Sequence, residues 1–101
     1  MTIIDLSIIS MDNMETNKEN IAEALIEVKK SGLDYKLHDM GTTFIGPLDK
    51  CMDTANKVVQ KISKYTDRLY SVIKIDNVDK DFKLGDRTLE VERLINETLK
   101  K

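Results

Sequence analysis

The sequence holds one cysteine, one histidine, one proline, four glycines and no tryptophan in 101 residues. A lone Cys51 excludes an internal disulfide and any metal site built from cysteines alone. Cys51 falls within a helical apolar pattern, where a thiol acts as a small buried hydrophobe, and His38 belongs to a different element. No nucleophile is therefore marked as paired with a base. There is no glycine-rich phosphate loop and no zinc-ligand spacing, so no cofactor and no metal are expected. No apolar run approaches a membrane span. The start, Met1-Thr2-Ile3-Ile4-Asp5, lacks the basic and apolar regions of a secretory signal, so the cytoplasm is the expected location. Basic excess is missing too. The net charge is −2, and a nucleic-acid binder needs a basic face to neutralise phosphates.

What remains is a folded, soluble composition, 41% hydrophobic and 34% charged. The length predicts a single domain, residues 1–101, with a modest core that oligomerisation would supplement. Repeats, linkers and low-complexity tracts are absent.

The segment from Ser31 to Pro47 organises the chain. Gly32 suits the left-handed position after a helix. Leu33, Tyr35 and Leu37 alternate with polar residues as in a half-buried strand. Gly41 predicts a corner with positive φ. Thr42-Thr43-Phe44-Ile45 is β-branched and aromatic, and Gly46-Pro47 ends that strand and opens a helix. Before this hairpin, Thr2 to Met11 reads as a strand with Ile4, Leu6 and Ile8 on the core face and Ile3, Asp5, Ser7 and Ile9 on the other. Asp12 to Glu15 is a polar loop. Thr16 and Glu19 match a capping box ahead of a helix from about Asn17 to Ser31, striped by Ile21, Ala24, Leu25 and Val28. After the hairpin, Leu48, Met52, Ala55, Val59 and Ile62 form a second helical stripe. Leu69 to Ile75 is the last strand. Asp86 is expected to cap a third helix striped by Val91, Leu94, Ile95 and Leu99.

Two strand–helix–strand units joined by a hairpin predict an α+β, ferredoxin-like βαββαβ fold. It has an antiparallel sheet, helices on one face and an extra C-terminal helix. The outer sheet face mixes hydroxyls, carboxylates and apolar groups: Asp5 and Ser7, then Lys36, His38 and Met40, then Thr43 and Ile45, then Lys74 and Asp76. Such a mixture suits a ligand pocket or a subunit face. Ile3, Ile9, Met40 and Ile45 there would be wet in a monomer, so a homo-oligomer is expected.

Taken in order, Ser31-Gly32-Leu33-x-Tyr35, Met40-Gly41-Thr42, Gly46 and Ile73-Lys74-Ile75-Asp76 resemble the thiamine-binding family of small ferredoxin-like proteins. The likeness runs from the first strand to the terminal helix. It departs in two places. Ile45 stands where the family commonly has a glutamate, which removes an acid that could balance a cation, and Met11-Asp12 stands where a proline often ends the first strand. The resemblance implies a non-catalytic carrier or sensor of thiamine or its hydroxymethylpyrimidine part, assembled as a homodimer or homotetramer. The expected ligand-binding residues are Ser7, Ile9, Met40, Gly41, Thr42, Thr43 and Asp76. Asp5, Asp39 or Asp76 could balance a thiazolium. The competing reading is an oligomeric regulatory module sensing another small metabolite. An RNA-binding sheet is disfavoured by the acidic balance and the scarcity of aromatics.

Overall fold

The computed structural model describes residues 1–12 and 14–98. Its elements are β1 (Thr2–Ser10), a 3₁₀ turn (Met14–Thr16), α1 (Asn17–Lys30), β2 (Asp34–His38), β3 (Gly41–Gly46), α2 (Leu48–Ile62), β4 (Leu69–Asn77) and α3 (Asp86–Ile95). The four strands form an antiparallel sheet in the order β2-β3-β1-β4. This is the ferredoxin-like arrangement predicted from the element order, with β1 and β3 at the centre. Among the described residues, no helix is long and apolar enough to cross a membrane.

The period-2 pattern of β1 decides which face is core. Ile4, Leu6 and Ile8 are buried with Phe44 of β3 against Ala24 and Val28 of α1 and Ala55, Val58 and Ile62 of α2. Burying each large apolar side chain contributes roughly 1.5–3 kcal/mol. Lys61 of α2 links the two helices from the solvent side, with Nζ 3.0 Å from Glu23 and 3.7 Å from Glu27. Cys51 is fully buried, its Sγ 3.6 Å from the Thr2 carbonyl, and burial pushes its thiol pKa up, so it stays protonated and inert.

Several local expectations are corrected. The buried face of α2 runs through Cys51, Thr54, Ala55, Val58 and Ile62, while Leu48 and Met52 are exposed. Both stripes have helical spacing and share Ala55 and Ile62. The position of the sheet selects between them. Thr16 is the residue before α1, but its side chain makes no capping bond. Gly85, with φ +95°, precedes α3, and the Asp86 carboxylate instead accepts the Lys83 N–H at 2.8 Å. Gly32 has φ +78°, as a left-handed helix end requires. Gly41 does not have positive φ. Its need for glycine is steric, because an added Cβ would lie 2.8 Å from the Leu6 carbonyl oxygen. β2 is wholly exposed, since it forms one sheet edge. In the outer face Ile45 is already buried within one chain, so it does not supply the wet apolar surface expected of it.

α3 departs most from a compact globule. None of its residues is buried, and Leu89, Val91, Leu94 and Ile95 are exposed. Leu99, the last residue of its expected stripe, lies outside the described residues. The radius of gyration, 14.8 Å, exceeds the roughly 13 Å of a compact chain this long.

At the end of β1, Asp12 clamps the loop that leads into β4. Its carboxylate accepts the Thr66 hydroxyl, the Asp67 N–H at 3.0 Å and the Ser10 hydroxyl at 3.0 Å. The Thr66 bond is the largest cause that holds the Asp12 carboxyl far below the usual carboxylate range, followed by the Asp67 amide. A carboxylate depressed in this way stabilises the fold fully above its unfolded pKa, about 3.9, and loses that contribution as pH falls toward the folded value. Asp12→Asn should therefore lower the melting temperature at neutral pH. The gap from wild type should narrow on acidification below about pH 4. Thermal melts of both proteins from neutral to acidic pH check this, and a gap that stays constant across the series would overturn it.

Candidate functional site

The ladder between β1 and β3 ends at Leu6–Thr42, whereas the ladder between β1 and β4 continues to Ser10–Leu69. Ser7, Ile8 and Ile9 thus have a strand neighbour on one side only. On the other side the β2–β3 hairpin closes at His38–Gly41 through the two residues Asp39 and Met40. Neither has positive φ, so the turn is not of the primed kind that follows strand twist. Gly41 touches β1 where the ladder stops. Beyond that point the hairpin tip and β1 stand apart, and α1 roofs the gap. The result is a cleft of about 270 Å³.

Three elements wall the cleft: β1 from Leu6 to Ile9, the hairpin from Leu37 to Thr42, and α1 through Ile21, Ala24 and Val28. Its surface is mainly apolar, and its polar groups are few. Thr42 is nearly buried, and its hydroxyl makes no hydrogen bond to any described residue. Ser7 of β1 and Asp39 at the hairpin tip are also among the residues that line it. Among the described residues, no lysine or arginine lines the cleft.

Of the residues singled out by sequence, Ser7, Ile9, Met40, Gly41 and Thr42 lie around this cleft. Thr43 and Asp76 do not line it. Thr43 points to the outer sheet face, where its hydroxyl donates to Asp5 Oδ1 at 3.1 Å. His38 Nε2 lies 2.9 Å from the same Asp5 oxygen and 3.2 Å from the Thr43 hydroxyl. This cluster ties β1, β2 and β3 together beneath the hairpin tip. Asp76 sits across the sheet on β4, with Oδ2 2.7 Å from Arg87 of α3. Arg87 in turn lies over the Phe82 ring at 5.2 Å. The carboxylates of Asp5 and Asp76 are thus engaged within the chain, and Asp39 alone of the three expected acids lines the cleft.

The α1 wall was missed in the sequence. Ile21, Ala24 and Val28 read as an ordinary core stripe, and Leu6 and Ile8 as sheet core. The signal available was Ala24, a small residue on a stripe of branched ones, which leaves room beside the sheet. Among the described residues no group of histidine, cysteine, aspartate or glutamate side chains is placed to hold a metal ion. The arrangement can enclose a small, flat, largely apolar molecule and satisfy a few of its hydrogen bonds.

An antiparallel ferredoxin-like sheet with a cleft between its first helix and its hairpin defines a small α+β protein with a ligand-sized opening. The sequence matches the thiamine-binding protein family over residues 4–92, and the chain belongs to that family. No curated protein matches it significantly. Several solved structures share its fold. A hypothetical protein from Methanocaldococcus jannascii is 24% identical, with TM-score 0.80 over 96% of this chain and 97% of that one. A candidate thiamine biosynthesis/salvage protein from Thermotoga maritima is 14% identical, with TM-score 0.80 over 89% and 97%. A domain of unknown function from Bacillus cereus is 19% identical, with TM-score 0.77 over 88% of each chain.

Proposed function

We propose that the cleft between α1 and the β2–β3 hairpin binds thiamine or its hydroxymethylpyrimidine part, and that the protein is a non-catalytic carrier or sensor of that ligand in the cytoplasm. The observation that carries this reading is the apolar cleft between α1, β1 and the hairpin, with Thr42 in its lining and its hydroxyl without a partner among the described residues. A ligand that pairs with this hydroxyl gains a hydrogen bond that the fold itself does not use. Membership of the thiamine-binding family supports the choice of ligand. The volume, about 270 Å³, lies at the lower bound of small-molecule sites, roughly 300–1,000 Å³. That size favours one ring inside the cleft, with the remainder of a larger ligand at the mouth beside Met40 and Asp39. The assembly that accompanies this reading is a homodimer or homotetramer.

Calorimetry with thiamine, its phosphates and hydroxymethylpyrimidine tests the proposal, and absence of heat with all of them would sink it. Thr42→Val keeps the shape and removes the hydroxyl. It should weaken binding by about 1 kcal/mol, roughly fivefold. Thr43→Val should leave affinity nearly unchanged, because its hydroxyl serves Asp5 and His38 on the outer face. The reverse ranking would place the ligand on the outer face instead.

A further feature bears on the charge of the ligand. Asp5 and Asp76 are both occupied by internal partners, and position 45 carries Ile rather than an acid. A neutral heteroaromatic ligand therefore suits the cleft better than a strongly cationic one. In the calorimetric series this predicts that hydroxymethylpyrimidine binds at least as tightly as thiamine.

A further inference from the structure

The hairpin tip that walls the cleft stands where the β1–β3 ladder has already stopped, at Leu6–Thr42. One side-chain contact spans what the backbone leaves open. His38, the last residue of β2, reaches past β3 to β1, with Nε2 2.9 Å from Asp5 Oδ1. An ionised carboxylate only accepts, so Nε2 carries the hydrogen. Thr43, on the strand between, donates its hydroxyl to the same oxygen at 3.1 Å. His38 pairs with Gly41 across the turn, so Asp39 and Met40 follow directly from it. An added Cβ at Gly41 would lie 3.4 Å from that Asp5 oxygen, which puts the carboxylate close beneath the tip. Asp5 and its neighbour Leu6 face opposite sides of the sheet, and Leu6 faces the helices, so the contact lies on the side away from α1. A tie on that side holds the tip back from α1. Without it, an apolar cleft is free to close on itself.

We propose that the His38–Asp5 pair is a positioning contact of the cleft, and that protonation of His38 tightens ligand binding. The proposal rests on the ligand reading of the preceding section and adds its regulation by pH. Both side chains are half-buried, so protons reach the ring from solvent. A neutral imidazole gives Asp5 a hydrogen bond, whereas an imidazolium gives it an ion pair, which is the stronger contact. A stronger tie raises the share of molecules that keep the tip in place. A ligand that needs that arrangement gains apparent affinity by the same share. The surrounding charges leave His38 as the group that responds. On the outer face Lys74 of β4 stands opposite Asp5, and Lys36 of β2 stands opposite Thr43. Asp39 follows His38 at the tip, and α1 brings only Ile21, Ala24 and Val28 to the cleft. Lysine and aspartate side chains do not ordinarily change charge between about pH 6 and 8, whereas histidine does. His38 is the single histidine of the chain. The terminal amino group of Met1, which bonds the Val78 and Lys80 carbonyls, lies at the far end of β1.

Calorimetry with hydroxymethylpyrimidine at about pH 6 and about pH 8, on wild type and His38→Gln, tests it. Glutamine keeps a donor for Asp5 but takes up no proton. Any titration of the ligand itself acts on both proteins alike, so the comparison isolates His38. The two proteins should bind alike at the higher pH. At the lower pH wild type should bind about fivefold or more tightly than the variant. Near pH 7, titrations in two buffers of different ionisation heat should show wild type taking up more protons on binding than His38→Gln does. Asp5→Asn keeps an acceptor but loses the charge, so it too should lose the excess uptake. It replaces His38→Gln if that variant fails to fold, which thermal melts establish. A variant weaker than wild type by the same factor at both pH values would make the contact merely structural and overturn the proposal. Equal affinities throughout, or equal proton uptake, would overturn it as well and leave the ligand reading standing. Absence of heat from wild type at both pH values would overturn the ligand reading and the role of His38 together.

Discussion

Replacing Gly41 with valine is expected to lower the stability of the protein by about 1–3 kcal/mol and to weaken ligand binding with it. The added Cβ would sit 2.8 Å from the Leu6 carbonyl oxygen, a backbone atom held in the central pair of strands. A flexible side chain could swing away from such an intrusion, but the carbonyl cannot. The strand would have to separate from β1, and Gly41 and Thr42 would move with it. Because Gly41 lacks positive φ, alanine should show much of the same effect, since the first carbon beyond Cα makes the clash. Thermal and urea unfolding of both variants measure this. The expected loss corresponds to roughly 4–8 °C in melting temperature per kcal/mol for a domain of this size. An alanine variant as stable as wild type would show that β1 and β3 yield at this point without cost.

The second large effect concerns the cleft itself. Ala24→Phe places a ring from α1 into the space between the helix and the hairpin. Binding should fall by about tenfold or more, because the ring occupies volume that a ligand needs and no hydrogen bond compensates. Stability should change by less than about 1.5 kcal/mol, since an apolar ring entering an empty apolar cleft replaces missing contacts rather than displacing filled ones. Calorimetry and unfolding on the same preparation separate the two outcomes. If Ala24→Phe proves too crowded to fold, Ile21→Trp at the exposed rim of the same wall tests the point with less disturbance of the core. Full affinity in a folded variant of either kind would move the ligand away from α1.

These two residues also show where sequence reading succeeds and where it stops. At Gly41 the sequence suggests a dihedral need for glycine, whereas the structure imposes a steric one. A dihedral requirement is local and can be suspected from neighbouring residues. A close approach between two strands that are 35 positions apart belongs to the fold. Ala24 reads as core from its helical spacing and is core, but its smallness has meaning only against the hairpin tip opposite.

The sequence by itself determined the order and kind of the elements, the antiparallel α+β fold and the core face of β1, because period-2 and helical patterning are local signals tied to burial. It also carried the family, through short motifs kept in order. The tertiary structure decided the rest. It chose which of two overlapping stripes on α2 is buried, because only the position of the sheet distinguishes them. It sent Thr43 and Asp76 away from the cleft and kept Thr42 within it, because neighbouring residues on a strand face opposite sides and β4 lies across β1 from the hairpin. It opened the cleft itself by ending one ladder at Leu6–Thr42 while the other ran on to Ser10–Leu69. Where a pairing stops depends on both strands and their turn together, and no single stretch of sequence holds that information.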